Sequence, residues 1–307
     1  VLERIRELAI PPAWMEVWIC PDPDGHLQAA GNDAAGRRQY LYHPVWRERQ
    51  DVLKFRRIEE FARALPAMRS AINADLDLEG LPKERVMAVA VRLLDRTTFR
   101  IGSETYADAN GSFGLATIRK SDITIDGSRL IFDYVGKGGA RRVHEVQDPR
   151  ITPLLGRMKR RRGGGVDLLA YREDGRWRDV RSGDVNTYLK GLLGPDHSAK
   201  DFRTWHATML AAIDIARVQA ELDPSKASRR RAIVATVARV AEHMGNTPAV
   251  CRASYIDPRV FDRFKEGRTI APALTEVALG DDEAAREPVE RAVLDLLSGD
   301  DEGAVAA

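Results

Sequence analysis

The sequence predicts an α+β chain in two parts, a small β-rich N-terminal domain over residues 1–75 and a larger, mainly α-helical domain over 76–275, followed by an acidic tail over 276–307. Three observations carry this. Residues 14–43 alternate as short strands between turn signals, whereas beyond Pro44 the apolar residues recur mostly at helical spacing. The stretch D-L-D-L-E-G-L-P then interrupts the helical pattern and marks a domain boundary.

In the first part, W-M-E-V-W-I-C stops at Pro21-Asp22-Pro23-Asp24-Gly25, H-L-Q-A-A stops at G-N-D-A-A-G, and R-R-Q-Y-L-Y-H follows. Strand periodicity puts Tyr40 and Tyr42 on one face and turns Gln39 to the other, beside Arg37 and Arg38. Amides, phenols and guanidinium groups on a strand suit a nucleic-acid groove, although an ordinary half-exposed strand reads the same way. Residues 44–64 read as a charged helix, with a second short helix over 66–73.

In the second part, Pro82 opens a helix that carries Val86, Val89, Leu93 and Leu94 on one face and ends near Phe99. L-A-T-I, D-I-T-I and R-L-I-F-D-Y-V-G read as strands, with Asp126-Gly127 as a hairpin turn. Gly136-Lys137-Gly138-Gly139 lacks the spacing of a phosphate loop, so no nucleotide is expected and a lysine on a β-turn remains. Helices are expected at 150–160, 182–193 and 199–220, with M-K-R-R-R-G-G-G as a mobile loop between the first two. Asp223-Pro224 can start a helix bearing Ile233, Val237, Val240 and Met244, which Gly245 stops. Thr247-Pro248 starts another, and Tyr255 follows it with Asn246 in the gap between the two helices.

Composition bounds the chemistry. Hydrophobic residues make up 44% and charged residues 31% of 307 positions, and no apolar run approaches the roughly 20 residues of a membrane span. The opening V-L-E-R-I-R-E-L lacks the pattern of a secretory signal. Cys20 and Cys251 stand far apart in no paired motif, so a cytoplasmic protein without disulfides or a zinc site is expected. The net charge of +2 hides ten acids against Arg286 and Arg291 in residues 276–307, which leaves a net +10 on the rest. A basic body of this kind suits a polyanionic partner.

A lone tyrosine is ordinarily half-buried with its hydroxyl bonded to a neighbour. Tyr255, however, shares the chain with Arg100 after a helix, Lys137 on a hairpin, and Lys200 and Arg203 in K-D-F-R-T-W-H-A-T. The motifs F-R-I-G-S-E, V-G-K-G-G, D-F-R-T-W-H-A-T and N-T-P-A-V-C-R-A-S-Y-I-D-P, with P-D-P-D-G-H-L-Q-A and G-R-R-Q-Y-L-Y-H-P before them, resemble those of the type IB DNA topoisomerases. The likeness is to their compact bacterial and poxvirus-like branch and extends from about residue 10 to about 270.

The resemblance implies that Tyr255 is the nucleophile on a DNA phosphodiester and forms a 3′-phosphotyrosyl intermediate. Arg100, Arg203 and Asn246 match donors to the phosphate, and Lys137 matches the general acid on the departing 5′-oxygen. Lys200 matches a further basic residue, Gln39, Tyr40 and Tyr42 match residues that touch bases and backbone, with Arg37 and Arg38 beside them, and Tyr106 matches another DNA contact. It also implies the fold shared with tyrosine recombinases, closing as a clamp around duplex DNA, and a monomer in the cytoplasm, on the nucleoid, that needs no metal, nucleotide or other cofactor. Many relatives carry a histidine where this chain has Asn246, and an amide can donate a hydrogen bond but cannot titrate near neutral pH.

A tyrosine site-specific recombinase is the nearest alternative. Its second arginine ordinarily follows a histidine by three positions, where this chain has Lys200. A DNA-binding protein that does not cut would leave Tyr255 and Lys137 without a purpose. A metallohydrolase has little support, since no histidine stands at ligand spacing from another or from a cysteine.

Overall fold

The alternation over residues 14–43 is realised as an antiparallel sheet in the order β1 (Met15–Ile19), β2 (Leu27–Asn32), β3 (Arg38–Tyr42), preceded by a short helix α1 (Leu2–Glu7). The computed structural model describes residues 2–219, 225–274 and 283–299, without the side chains of Tyr106 and of 283–285. It divides into two compact units, Val1–Arg57 and Ile58–Ala307, with the division inside a helix.

That helix, α2 (Pro44–Leu76), corrects the expectation of two helices separated near Pro66. Proline removes one backbone donor and crowds the preceding turn, which ordinarily breaks or kinks a helix. Here Phe61, Leu65, Met68 and Ile72 lie at helical spacing on both sides of Pro66 and are all buried, so packing carries the helix through. The D-L-D-L-E-G-L-P stretch holds the end of α2 and the turn that leads to α3 (Lys83–Arg96), whose residues from Val86 to Asp95 are all buried.

After α3 and the short helix α4 (Glu104–Asn110), L-A-T-I proves to be a 3-10 turn at Leu115–Thr117 instead of a strand. The cause is backbone pairing across a close approach. The amides of Leu115 and Ala116 donate to the carbonyls of Arg100 and Ile101 at 2.9 and 2.8 Å. Gly102 and Gly114 meet so closely that a Cβ on Gly114 would lie 2.5 Å from the Cα of Gly102.

A second antiparallel sheet follows, β4 (Ile123–Asp126), β5 (Arg129–Val135) and β6 (Arg141–Gln147), in that order. Leu130, Phe132 and Tyr134 turn into the core from β5, and β6 pairs with it through Phe132↔His144 and Tyr134↔Arg142. Next come α5 (Thr152–Arg160), the hairpin β7 (Ala170–Glu173) and β8 (Arg176–Asp179), α6 (Ser182–Leu193) and α7 (Ala199–Gln219). The expected mobile loop M-K-R-R-R-G-G-G is instead pinned: the buried Arg161 donates to the carbonyls of Met158 and Leu168 at 2.9 and 2.8 Å, and pairs with Asp179 at 3.2 Å.

α7 runs through the core with Phe202, Trp205, Ala211 and Ile215 buried. α8 (Lys226–Met244) is capped by the Ser225 side chain, which accepts from the Ser228 amide; the expected Asp223-Pro224 start lies outside the described residues. α9 (Pro248–Ser254) and α10 (Pro258–Lys265) follow, capped by Thr247 and Asp257. Part of the acidic segment is helix α11 (Glu283–Ser298), which buries Val289, Val293 and Leu297. It also buries a charge. Glu290 binds Arg69 through two 2.7 Å bonds, Arg69 holds Asp95 through two of 2.9 Å, and Arg286 donates to the Asp95 carbonyl at 3.0 Å.

Candidate active site

The C-terminus of α8 is where the site assembles. A helix end leaves carbonyls unpaired and carries partial negative charge. Gly245 turns the chain there with φ 62°, a left-handed conformation that suits glycine, and the Asn246 amide folds back to the Ala241 carbonyl at 2.9 Å. Three guanidinium groups close on the exposed carbonyls. Arg203 donates to Met244 O at 3.0 Å, while Arg100 and Arg142 both donate to Gly245 O, at 2.9 and 3.0 Å.

Each arginine is delivered by a different element. Phe99, buried edge-on against Phe132 at 5.2 Å and beside His144 at 4.4 Å, fixes the backbone that carries Arg100. Arg203 sits one turn into α7, only 3% exposed, and its guanidinium also bonds the Thr98 carbonyl. Arg142 comes from β6, the strand that follows the Lys137 turn, opposite Tyr134. No carboxylate pairs with these three among the described residues. Burial first, then the neighbouring Arg142, lowers the Arg100 guanidinium from its ordinary value against the opposing pull of Tyr255; Arg203 is lowered first by burial and then by Arg100.

Tyr255 ends α9, half-buried, with its ring under the Arg203 guanidinium at 5.3 Å. Its backbone is fixed on both sides. The Tyr255 amide bonds the Cys251 carbonyl at 3.0 Å, and the buried Thr208 hydroxyl donates to the Tyr255 carbonyl at 3.3 Å while accepting from the Asp257 amide at 3.1 Å. Asn246 Oδ1 accepts from Arg100 at 2.5 Å. A guanidinium only donates, so this contact fixes the amide orientation and turns Nδ2 away from Arg100. That Nδ2 is buried with no hydrogen-bond partner among the described residues, as are the Nε atoms of Arg203 and Arg142.

Lys137 is exposed on a 3-10 turn at Lys137–Gly139, closed by a 2.8 Å bond from the Gly136 amide to the Ala140 carbonyl. A cleft lined by Arg100, Ser112, Phe113 and Lys137 joins this turn to the arginine cluster. The structure thus gathers Arg100, Arg203, Asn246 and Tyr255, and places Lys137 along a cleft from Arg100. Lys200 is exposed in the first turn of α7, and Tyr106 lies on α4 with its side chain outside the description. His206 is a packed histidine: its Nε2 meets the Asp95 carbonyl at 2.9 Å, and burial pushes its pKa down to about 3.

In the N-terminal unit, β3 turns Arg38, Tyr40 and Tyr42 outward, and the two phenol rings stack at 6.1 Å. Trp46 extends the stack from Tyr42 at 4.4 Å, with His26 beside it at 6.0 Å. Gln39 and Arg37 lean to Asp33 with bonds of 2.9 Å each.

The sequence reasoning missed Arg142 and Trp46. The alternation R-R-V-H-E-V-Q after Lys137 was the available signal for Arg142, because it puts positions 142, 144 and 146 on the core face of a third strand. No group of three or more potential metal ligands occurs among the described residues, and no helix there is long and apolar enough to cross a membrane.

Comparison with known proteins is consistent along the chain. Residues 1–33 match the family described as bacterial DNA topoisomerase IB, N-terminal domain. The mimivirus DNA topoisomerase 1B is 28% identical over 262 residues, covering 83% of this chain and 77% of the viral protein. The vaccinia virus DNA topoisomerase 1B is 20% identical over 77% of this chain and 72% of its own length. The DNA topoisomerase 1 of Daucus carota is 29% identical over 41% of this chain, a match that spans 15% of the plant protein. Residues 43–270, most of the chain and all of the arginine cluster, match the eukaryotic DNA topoisomerase I catalytic core, and the chain therefore belongs to the type IB DNA topoisomerases.

Proposed function

We propose that this topoisomerase relaxes supercoiled duplex DNA by transient cleavage of one strand through Tyr255, with Arg100, Arg203 and Asn246 holding the phosphate and Lys137 serving the leaving group. One observation carries the reading: three carboxylate-free guanidinium groups and the unpartnered Asn246 Nδ2 converge beside a half-buried phenol. Donors fixed before the reaction stabilise charge as it develops, because they need not reorganise.

In the cleavage step, the Tyr255 oxygen attacks phosphorus as its proton passes to solvent. The new O–P bond forms as the bond from phosphorus to the 5′-oxygen breaks. Arg203 over the ring favours negative charge building on the phenol oxygen, and the phosphate donors take the charge on the non-bridging oxygens. The departing alkoxide is strongly basic, so it needs a proton in the transition state, which Lys137 supplies. Religation reverses each transfer. The phosphotyrosyl bond keeps the energy of the broken one, so no ATP is needed, and rotation of the free end releases supercoils in between.

The same reading assigns the stacked Tyr40 and Tyr42, with Arg37, Arg38 and Gln39, to the DNA groove, and Lys200 and Tyr106 to further DNA contacts. It also makes the protein a clamp around duplex DNA, a monomer that works on the nucleoid in the cytoplasm. The deciding experiment incubates supercoiled plasmid with the protein in EDTA without ATP, then traps covalent complexes with detergent. Relaxation and an adduct at Tyr255 are expected. The Tyr255→Phe variant should bind DNA but form no adduct; an adduct from that variant would overturn the assignment, and a strict need for magnesium would count against the cationic site.

A further inference from the structure

Arg142 differs from the arginines around it on the same sheet. Arg141 pairs with Asp133 at 2.5 Å and Arg129 with Glu145 at 2.7 Å, both on the outer face. Arg142 points to the other face, opposite Tyr134, and has no carboxylate partner among the described residues. Its NH2 donates to Gly245 O, the same oxygen that Arg100 uses. Its Nε is buried and has no hydrogen-bond partner among the described residues.

The approach is built into the backbone. A Cβ on Gly245 would stand 2.0–2.2 Å from the three outer atoms of the Arg142 guanidinium, and one on Gly136 would stand 2.9 Å from its Cγ. Two glycines thus make room for this side chain. A guanidinium brought into a crowded site without a counter-charge is costly unless an anion arrives to meet it. Asn246 is neutral, so the arginines must supply the charge at this end of the phosphate. Two guanidinium groups that share one carbonyl oxygen are also close enough to share the two non-bridging oxygens of one phosphate.

We propose that Arg142 is a further catalytic residue, a third guanidinium that leaves the Gly245 carbonyl for a non-bridging oxygen of the scissile phosphate and neutralises charge there during cleavage. This rests on the function proposed above for Tyr255.

The test compares single-turnover cleavage of two synthetic duplexes, one with an ordinary phosphodiester at the cleavage position and one with a neutral methylphosphonate. On the phosphodiester, Arg142→Ala should be slowed about a hundredfold or more, the loss expected for one preorganised donor, with DNA binding reduced far less. Arg142→Lys, which keeps the charge, should recover part of the rate. On the methylphosphonate, which has lost the negative charge that Arg142 neutralises, the Ala variant should fall much closer to the parent. Equal slowing on both duplexes would assign Arg142 only to holding Gly245 and overturn the proposal, as would cleavage by Arg142→Ala at the parental rate. A parental protein that forms no adduct on either duplex would overturn the proposed function and the role of Arg142 with it. Arg142→Gln, with a matched melting temperature, serves if the Ala variant does not fold.

Discussion

Replacing Asn246 with aspartate separates the two jobs of this side chain. The substitution keeps the oxygen that accepts from Arg100 at 2.5 Å and converts that bond to an ion pair, so the local fold should hold. What changes is the other end. The unpartnered Nδ2, the proposed donor to the phosphate, becomes an oxygen, and the site gains a negative charge. Loss of a preorganised donor costs about a hundred- to a thousandfold in rate. A carboxylate about 4 Å from a phosphate charge adds a repulsion of up to about 4 kcal/mol at an effective dielectric near 20, nearly a further thousandfold before the arginines offset it. Asn246→Asp should therefore cleave more slowly than Asn246→Ala, and both should cleave far more slowly than the parent. Asn246→His should retain much of the rate and show a new inflection near its reference pKa of about 6.5, since imidazole titrates and the amide does not. The assay is single-turnover cleavage of a short duplex with detergent trapping, with binding measured separately. An aspartate variant faster than the alanine one would refute the electrostatic argument, and an alanine variant at the parental rate would remove Asn246 from the site.

Lys137→Ala should slow cleavage of an ordinary phosphodiester far more than of a duplex with a 5′-sulfur leaving group, because a thiolate departs without a proton; equal slowing would make Lys137 a positioning residue. Glu290→Ala leaves Arg69, with a side chain only 4% exposed, short of one of its two carboxylates, and should lower unfolding free energy in urea by about 3–5 kcal/mol. Stability should also fall with acid through His206. Its folded pKa of about 3 lies below the unfolded value near 6.5, so from about pH 6.5 down to about pH 3 the unfolded chain takes up a proton that the folded one refuses, at about 1.4 kcal/mol per pH unit. His206→Gln should show a correspondingly shallower slope over that range, and identical slopes would mean that His206 titrates normally in the fold.

The parts of this structure legible in the sequence are those set by neighbours in the chain. Gly245, Thr247 and Pro248 announce a stop and a start within four positions, which is why the setting of Tyr255 was readable. Asp126-Gly127 announces its hairpin in the same way. The errors arose where distant contacts decide. Pro66 reads as a break until the buried faces on both sides of it are known, and L-A-T-I reads as a strand until its amides are found on Arg100 and Ile101. Arg142 stood in a charged run whose alternation was visible, but its meaning depends on Gly245, 103 positions away. Glu290 looks like one more acid in an acidic segment, since nothing near it names Arg69, 221 positions earlier, as its partner.

The docking of α11 also has a consequence for how the protein is made. Synthesis runs from the N-terminus, so every side chain of the arginine cluster and Tyr255 itself leaves the ribosome before α11 does. Arg259, whose partner Asp257 caps the helix after Tyr255, donates to the Leu297 carbonyl, and Arg263 beside it donates to Leu296. The segment behind Tyr255 therefore receives anchors from residues translated after it, and Asp95, five positions before Arg100, waits equally for Arg286. A nascent chain that has not yet made α11 holds every residue of the proposed site without the brace that packs behind them.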